Sequence, residues 1–215
     1  MEGSVPSKEE RKHRMEKPAT ADHPIHELIQ RRWSPRTFSD RSVDNKTILS
    51  LLEAARWAPS SYNEQPWYFI VAVRDNENEY NRLLECLVPG NQGWAKQAPV
   101  LMLSAVSLNF QKNEKPNRHA FHDLGLAVAG LSFQATAEGL FLHQMAGIDV
   151  QKARETFNIP EGYEAVTGIA LGYPANPEDL PEEIREQERA PRARKALGEF
   201  VFSGSWGNRA DRIGV

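Results

Sequence analysis

Neutral polar side chains crowd one short stretch of this chain. Between Pro59 and Pro66 lie Ser60, Ser61, Tyr62, Asn63, Glu64 and Gln65. Serine, asparagine and glutamine carry donors and acceptors without fixed charge. Such a ledge matches a heterocycle with carbonyls and ring nitrogens better than it matches a metal ion. The prolines cannot continue a helix, and each pushes its predecessor towards extended backbone, so regular elements bracket the ledge. The same composition also serves as an ordinary helix-to-strand connection.

Charge gathers elsewhere. Arg31, Arg32 and Arg36, with Ser34 among them, fall at the end of a short helical pattern. Arg192, Arg194 and Lys195 form a second basic cluster near the C-terminus. Guanidinium forks match phosphate oxygens, although cations near a helix C-terminus are favoured with no ligand at all. Two separated clusters become one phosphate site when the two ends of the chain converge. His119, His122 and Asp123 could suggest a metal, but they stand at helical spacing near a helix start with no second cluster. Surface or capping roles suffice there, and no metal site is expected. The chain has no Gly-x-Gly-x-x-Gly, Walker loop or Gly-x-Ser-x-Gly elbow, so a phosphate would be held by side chains.

A length of 215 residues fits one domain with ample core. The 40% hydrophobic and 26% charged content belongs to an ordinary soluble globular protein. A net charge of -3 argues against a nucleic-acid binder. The single cysteine, Cys86, excludes an internal disulfide framework and fits a reducing cytosol. Its place among Leu83, Leu84 and Leu87 makes it a buried filler. No apolar run approaches the roughly 20 residues of a spanning helix. The charged start lacks signal-peptide character, so the expected location is cytoplasmic, away from membranes.

The elements that must position these residues follow from periodicity. Residues 1–21 form a charged arm in which Ser7 and Glu10 have capping-box spacing for a short helix. A short helix runs to about Arg32. In the next, Asp44 to Ala58, Ile48, Leu51, Leu52 and Ala55 recur at helical spacing, Asp44 caps and Pro59 stops it. Trp67 to Val73 is aromatic and β-branched, a strand expected to be buried on both faces. Asn78 to Leu87 reads as a helix, Pro89 to Gly93 as a turn, and Val100 to Val106 as a second buried strand. A polar loop over 107–118 leads into a long helix, Ala120 to Glu138. Its Gly125 and Gly130 each cost about 1 kcal/mol against alanine. Close approach of another element, including a second subunit, or tight core packing accounts for them. Leu140 to Met145 is extended, Asp149 caps a helix over Val150 to Phe157, and Ala165 begins a strand closed by Gly172 and Pro174. The segment to Arg189 shows no core, and Glu199 to Phe202 reads as a short C-terminal strand. Alternating strands and helices make the class α/β or α+β.

Taken together, Arg32-Trp33-Ser34-Pro35-Arg36, the loop from Ala58 to Trp67, Ala146-Gly147-Ile148-Asp149 and Arg192-Ala193-Arg194 resemble the nitroreductase family of flavin enzymes. The resemblance spans about Ile25 to about Trp206. It implies an α+β fold with a central, mostly antiparallel sheet flanked by helices, in a domain-swapped homodimer holding FMN at the subunit interface. The implied cofactor domain covers 22–207, with a tail over 208–215. The phosphate contacts fall on Arg32, Ser34, Arg36, Arg192 and Arg194. The partner's loop supplies Pro59, Ser60, Ser61 and Asn63 to the ring and ribityl chain, with Gln65 nearby. The backbone N–H of Ala146 faces the flavin N5, Gly147 lies beside it, and Asn91 is a further contact. Where the family often has two glycines, this chain has Ala146 before Gly147, a change that a backbone contact tolerates.

The implied activity needs no catalytic side chain. NADH or NADPH delivers hydride to N5, and a small acceptor such as a nitroaromatic or quinone collects it in a ping-pong cycle. A donor at N5 in positive surroundings stabilises the reduced cofactor, which carries the electrons. Two other readings stand beside this one. The protein could store or sense FMN without turnover, or it could be an empty dimer whose charged arm recruits a partner.

Overall fold

The chain forms four strands and seven helices among residues 16–176 and 181–215, which its computed structural model describes. The helix expected around Ser7 and Glu10 lies outside the described residues. In chain order the elements begin with α1 (Glu27–Arg31), α2 (Asn45–Arg56), β1 (Trp67–Val73) and α3 (Glu77–Leu84). Then come α4 (Pro89–Ala95), β2 (Val100–Ser107), α5 (Ala120–Ala137) and β3 (Phe141–Met145). The last are α6 (Val150–Phe157), β4 (Tyr163–Gly172) and α7 (Glu182–Arg189).

The sheet runs β1-β2-β4-β3 with every neighbouring pair antiparallel. All residues of β2 are buried, as its unbroken apolar run requires. On one face, Ile48, Leu51 and Ala55 of α2 pack with Leu124, Val128 and Leu131 of α5 over the sheet. On the other, Tyr80, Leu83, Cys86 and Ala153 cover Leu101 and Leu103. Asp44 caps α2 by accepting the Thr47 N–H at 2.9 Å. Gly130 owes its identity to the α2–α5 crossing, because a Cβ there would stand 2.8 Å from the Ala54 carbonyl oxygen. At Gly125 a Cβ would meet nothing within 4 Å.

Four expectations need correction. Pro89 to Gly93 is not a turn but the start of α4. Proline suits its first turn, and Gln92 and Asn91 side chains bond the Leu87 and Gly147 carbonyls. Strand β1 is an edge strand and only half-buried, with Tyr68 39% exposed. The segment before Arg189 does contribute to the interior, because α7 buries Glu188. Glu199 to Phe202 is not a sheet strand. A 3-10 turn covers Leu197–Glu199, and Phe202 makes one isolated bridge to Arg209. Aromatic content marked this segment as extended, but no open sheet edge of the same chain receives it.

Candidate cofactor site

Beyond α1 the chain is extended, and its side chains alternate. Trp33, Pro35 and Thr37 are buried while Ser34 and Arg36 are exposed, the two-residue period of extended backbone. Trp33 is the anchor, with its ring 6.0 Å from that of Phe141. Arg32 caps the end of α1, and its Nη1 lies 3.3 Å from the Ser34 Oγ. The C-terminal segment returns to this corner. Arg192 Nη1 donates to the carbonyls of Lys17 (2.8 Å) and Gln30 (3.1 Å), stitching residues at both ends of the chain to α1.

The two basic clusters therefore converge. Arg32, Arg192, Arg194 and Lys195 line one cavity of about 780 Å³, with Ile25, Ile29, Leu197 and Phe200 as its apolar wall. Burial first, then the charges of Arg192 and Arg194, pull the Arg32 pKa below the ordinary arginine value. Arg192 is lowered likewise by burial and by Arg194. Among the described residues no carboxylate lies within ion-pair distance of any of these three. Asp22 also lines the cavity without pairing with them, so an excess of positive charge remains that fits a multiply charged anion such as a phosphate.

Arg36 stands apart from that cavity. Its backbone N–H donates to Glu188 Oε1 at 2.9 Å, while Oε2 is buried and has no partner among the described residues. Burial raises the Glu188 pKa, and Arg36 and Lys17 lower it by less. His143 of β3 meets the Pro35 carbonyl through Nδ1 at 2.9 Å, and its ring lies 4.6 Å from that of Trp94. Burial leads in lowering its pKa, with smaller contributions from Arg36 and Arg32.

Two residues further along, β3 ends and the chain enters a tight corner. Asn91 Nδ2 and the Val88 N–H both donate to the Gly147 carbonyl at 3.0 Å. A Cβ on Gly147 would lie 2.6 Å from Asn91 Nδ2 and 2.7 Å from Val88 Cγ2, so any larger residue would have to push those side chains aside. Ala146 is exposed, and its N–H has no hydrogen-bond acceptor among the described residues. Asn91, Ala146 and Gly147 are thus brought together.

The ledge lies elsewhere. Tyr62, Asn63 and Gln65 adopt φ values of 54°, 55° and 52°, a left-handed run that non-glycine residues rarely enter. Local bonds hold it: the Gln65 N–H donates to Ser60 Oγ at 3.0 Å, and the Ser61 N–H to Asp123 Oδ2 at 2.9 Å. Pro59, Ser60, Ser61, Asn63 and Gln65 precede β1, whereas the basic corner abuts β3. Those strands are opposite edges of the sheet. Three inter-strand spacings, about 14 Å, separate them. One chain therefore presents two halves of the expected site and does not join them.

Sequence reasoning missed several groups. Glu188 and Lys17 carried no signal, since nothing local says that a helix 152 residues away will bond the Arg36 amide. His143 was hidden within an apolar strand. In the sequence Asp123 stands out only by its two neighbouring histidines, whereas in the fold it also fastens the ledge.

The arrangement defines an α+β protein with a basic corner that fits an anionic ligand. Comparison with known proteins takes this further. The Nitroreductase family profile matches residues 29–91 and 81–173. An Archaeoglobus fulgidus protein with the provisional name NADH dehydrogenase/NAD(P)H nitroreductase is 31% identical over 157 residues, covering 71% of this chain and 87% of that protein. The FMN reductase [NAD(P)H] of Bacillus subtilis is 26% identical over 66% of this chain and 63% of its own length. A solved oxidoreductase containing FMN superposes with a TM-score of 0.81 at 34% identity, covering 88% of this chain and 96% of that one. The chain belongs to the nitroreductase family.

Proposed function

We propose that this protein is an FMN-dependent NAD(P)H oxidoreductase working as a homodimer with two composite sites. The carrying observation is the convergence of Arg32, Arg192, Arg194 and Lys195 on one cavity whose lining has a single carboxylate, Asp22, while the polar ledge lies at the opposite sheet edge. In a two-fold dimer, the ledge of one subunit meets the basic corner of the other. Large apolar groups left exposed in the single chain, among them Leu49, Trp57, Phe121 and Trp206, supply surface for that contact.

In this arrangement Arg32, Arg192 and Arg194 hold the phosphate, with Ser34 and Arg36 at its flank. From His143 to Ala146 is about 10 Å along an extended strand, a reach suited to a phosphate at one end and a ring at the other. The Ala146 N–H then faces N5, with Gly147 and Asn91 keeping the corner tight. Pro59, Ser60, Ser61, Asn63 and Gln65 of the second subunit contact the ring and ribityl chain, and the C-terminal segment lies across the partner. Bound FMN supplies the hydride relay from NADH or NADPH to a small acceptor, a nitroaromatic or quinone, in a ping-pong cycle. No helix of the described residues is long and apolar enough to cross a membrane, and a cytoplasmic site of action is part of the proposal.

Spectroscopy of the purified dimer tests this. The expected protein is yellow, bleaches with NAD(P)H under anaerobic conditions, and recolours on addition of a quinone or nitroarene. A yellow protein that does not bleach would point to storage or sensing, and a colourless monomer indifferent to added FMN would defeat both readings.

A further inference from the structure

One cluster at the ledge is left unused by the cofactor contacts. Asp123, 2% exposed in the first turn of α5, has both carboxylate oxygens engaged. Oδ2 accepts the Ser61 N–H at 2.9 Å, and Oδ1 lies 3.0 Å from His122 Nδ1. An ionised carboxylate can only accept, so Nδ1 carries a proton and Nε2 is the ring nitrogen left to exchange one. The His122 side chain is 69% exposed, so Nε2 is within reach of a visiting molecule. The 107–118 loop closes on the same corner. Glu64 Oε1 accepts the Gln111 N–H at 2.6 Å, and the Phe110 ring stands 6.1 Å from Tyr62. Ledge, loop and the start of α5 thus form one mouth.

We propose that His122, oriented by Asp123, donates the proton to the electron acceptor at this mouth. The inference rests on the proposed placement of the ledge over the flavin ring. Converting a quinone to a hydroquinone requires a hydride and a proton. The hydride, with both electrons, comes through the bound cofactor from NAD(P)H. The imidazolium Nε2–H bond breaks, its electron pair stays on the ring, and the proton forms the O–H bond on the acceptor. Neutral His122 then regains a proton from water. Asp123 is a positioning residue: it fixes the tautomer and aims the ring, as second-layer carboxylates do for acid–base histidines.

Two measurements test this. The flavin-loaded dimer is reduced with NAD(P)H and reoxidised with benzoquinone or with ferricyanide, which takes electrons without a proton. His122→Gln is expected to lower the ratio of quinone to ferricyanide reoxidation rates by about a hundredfold. Long-range proton–nitrogen NMR of the flavin-free protein is expected to show neutral His122 as the Nδ1–H tautomer, and Asp123→Asn to lose it. An unchanged ratio in His122→Gln, or an Nε2–H tautomer in the wild type, overturns the proton donor while the bleaching reaction stands. A protein that never bleaches with NAD(P)H sinks the oxidoreductase reading, and the proton donor with it.

Discussion

The two half-sites are both costly to the free chain, but in different ways. At the β3 edge the cost is electrostatic: Arg32, Arg192 and Arg194 are crowded together, and burial adds to the cost at Arg32 and Arg192. At the β1 edge it is conformational: Tyr62, Asn63 and Gln65 sit in left-handed backbone. The first is compensated only in part inside one chain, where Arg192 ties residues at both ends to α1. In the proposed dimer an anion would offset the first, and a docked ring would make use of the second. Each half is held by distant groups, Arg192 by two carbonyls and the ledge by Asp123, so the geometry exists before any ligand arrives.

The sharpest way to break this contrast is to remove the charge. Arg32→Ala with Arg194→Ala is expected to weaken FMN binding by about 1.5–3 kcal/mol per residue, roughly ten- to a hundredfold each. Flavin fluorescence titration measures it. The melting temperature of the flavin-free protein should hold or rise, because like charges have been separated. A fall would mean that these arginines serve the fold.

Gly147→Ala attacks the strand-end corner instead. The new methyl collides with Asn91 and Val88, and overpacking of this kind costs about 1–3 kcal/mol. Here the denaturation midpoint of the flavin-free chain should drop, in contrast to the arginine pair. An unmoved midpoint would show that the corner is soft.

On the ledge, Gln65→Gly should stabilise the free chain slightly, by roughly 0.5 kcal/mol, as relief of the left-handed backbone outweighs the added freedom of the unfolded state. Its FMN affinity should nevertheless fall. Loss of stability instead would mean that the Gln65 side chain, bonded to the Asn63 carbonyl, outweighs the backbone term.

The smallest effect concerns Glu188, which links α7 to the basic corner. Burial raises its pKa, so the folded chain keeps a proton that the unfolded chain releases near the ordinary value of about 4.3. The stability contributed by this group is present below that value and is lost as pH rises through the raised folded value. Glu188→Gln keeps an acceptor for the Arg36 amide and removes the slope. Denaturation midpoints measured across this range should be flatter in the variant, and parallel curves would contradict the assignment.

How much was legible in the sequence followed the range of the forces involved. Helices α2 and α5 and strands β1 and β2 stood out because burial imposes a period that a short window reveals. Helix α4 did not, since Pro89, Gly90 and Gly93 signal a turn locally, while side-chain bonds to Leu87 and Gly147 hold the helix. The edge position of β1 was hidden because an aromatic strand looks alike whether another strand or another protein covers it. Both arginine clusters were visible by type, and their convergence is a tertiary fact that the family resemblance anticipated. Glu188 was invisible for the opposite reason, a lone acidic residue in a charged run.

Placing β1 and β3 at opposite edges has a genetic corollary in the proposed dimer. An allele damaged in the arginine cluster and an allele damaged in the ledge would complement each other. When they assemble together, one site of the mixed pair collects both lesions and the other has neither. Random pairing then restores roughly one site in four, from two polypeptides that are each inactive alone.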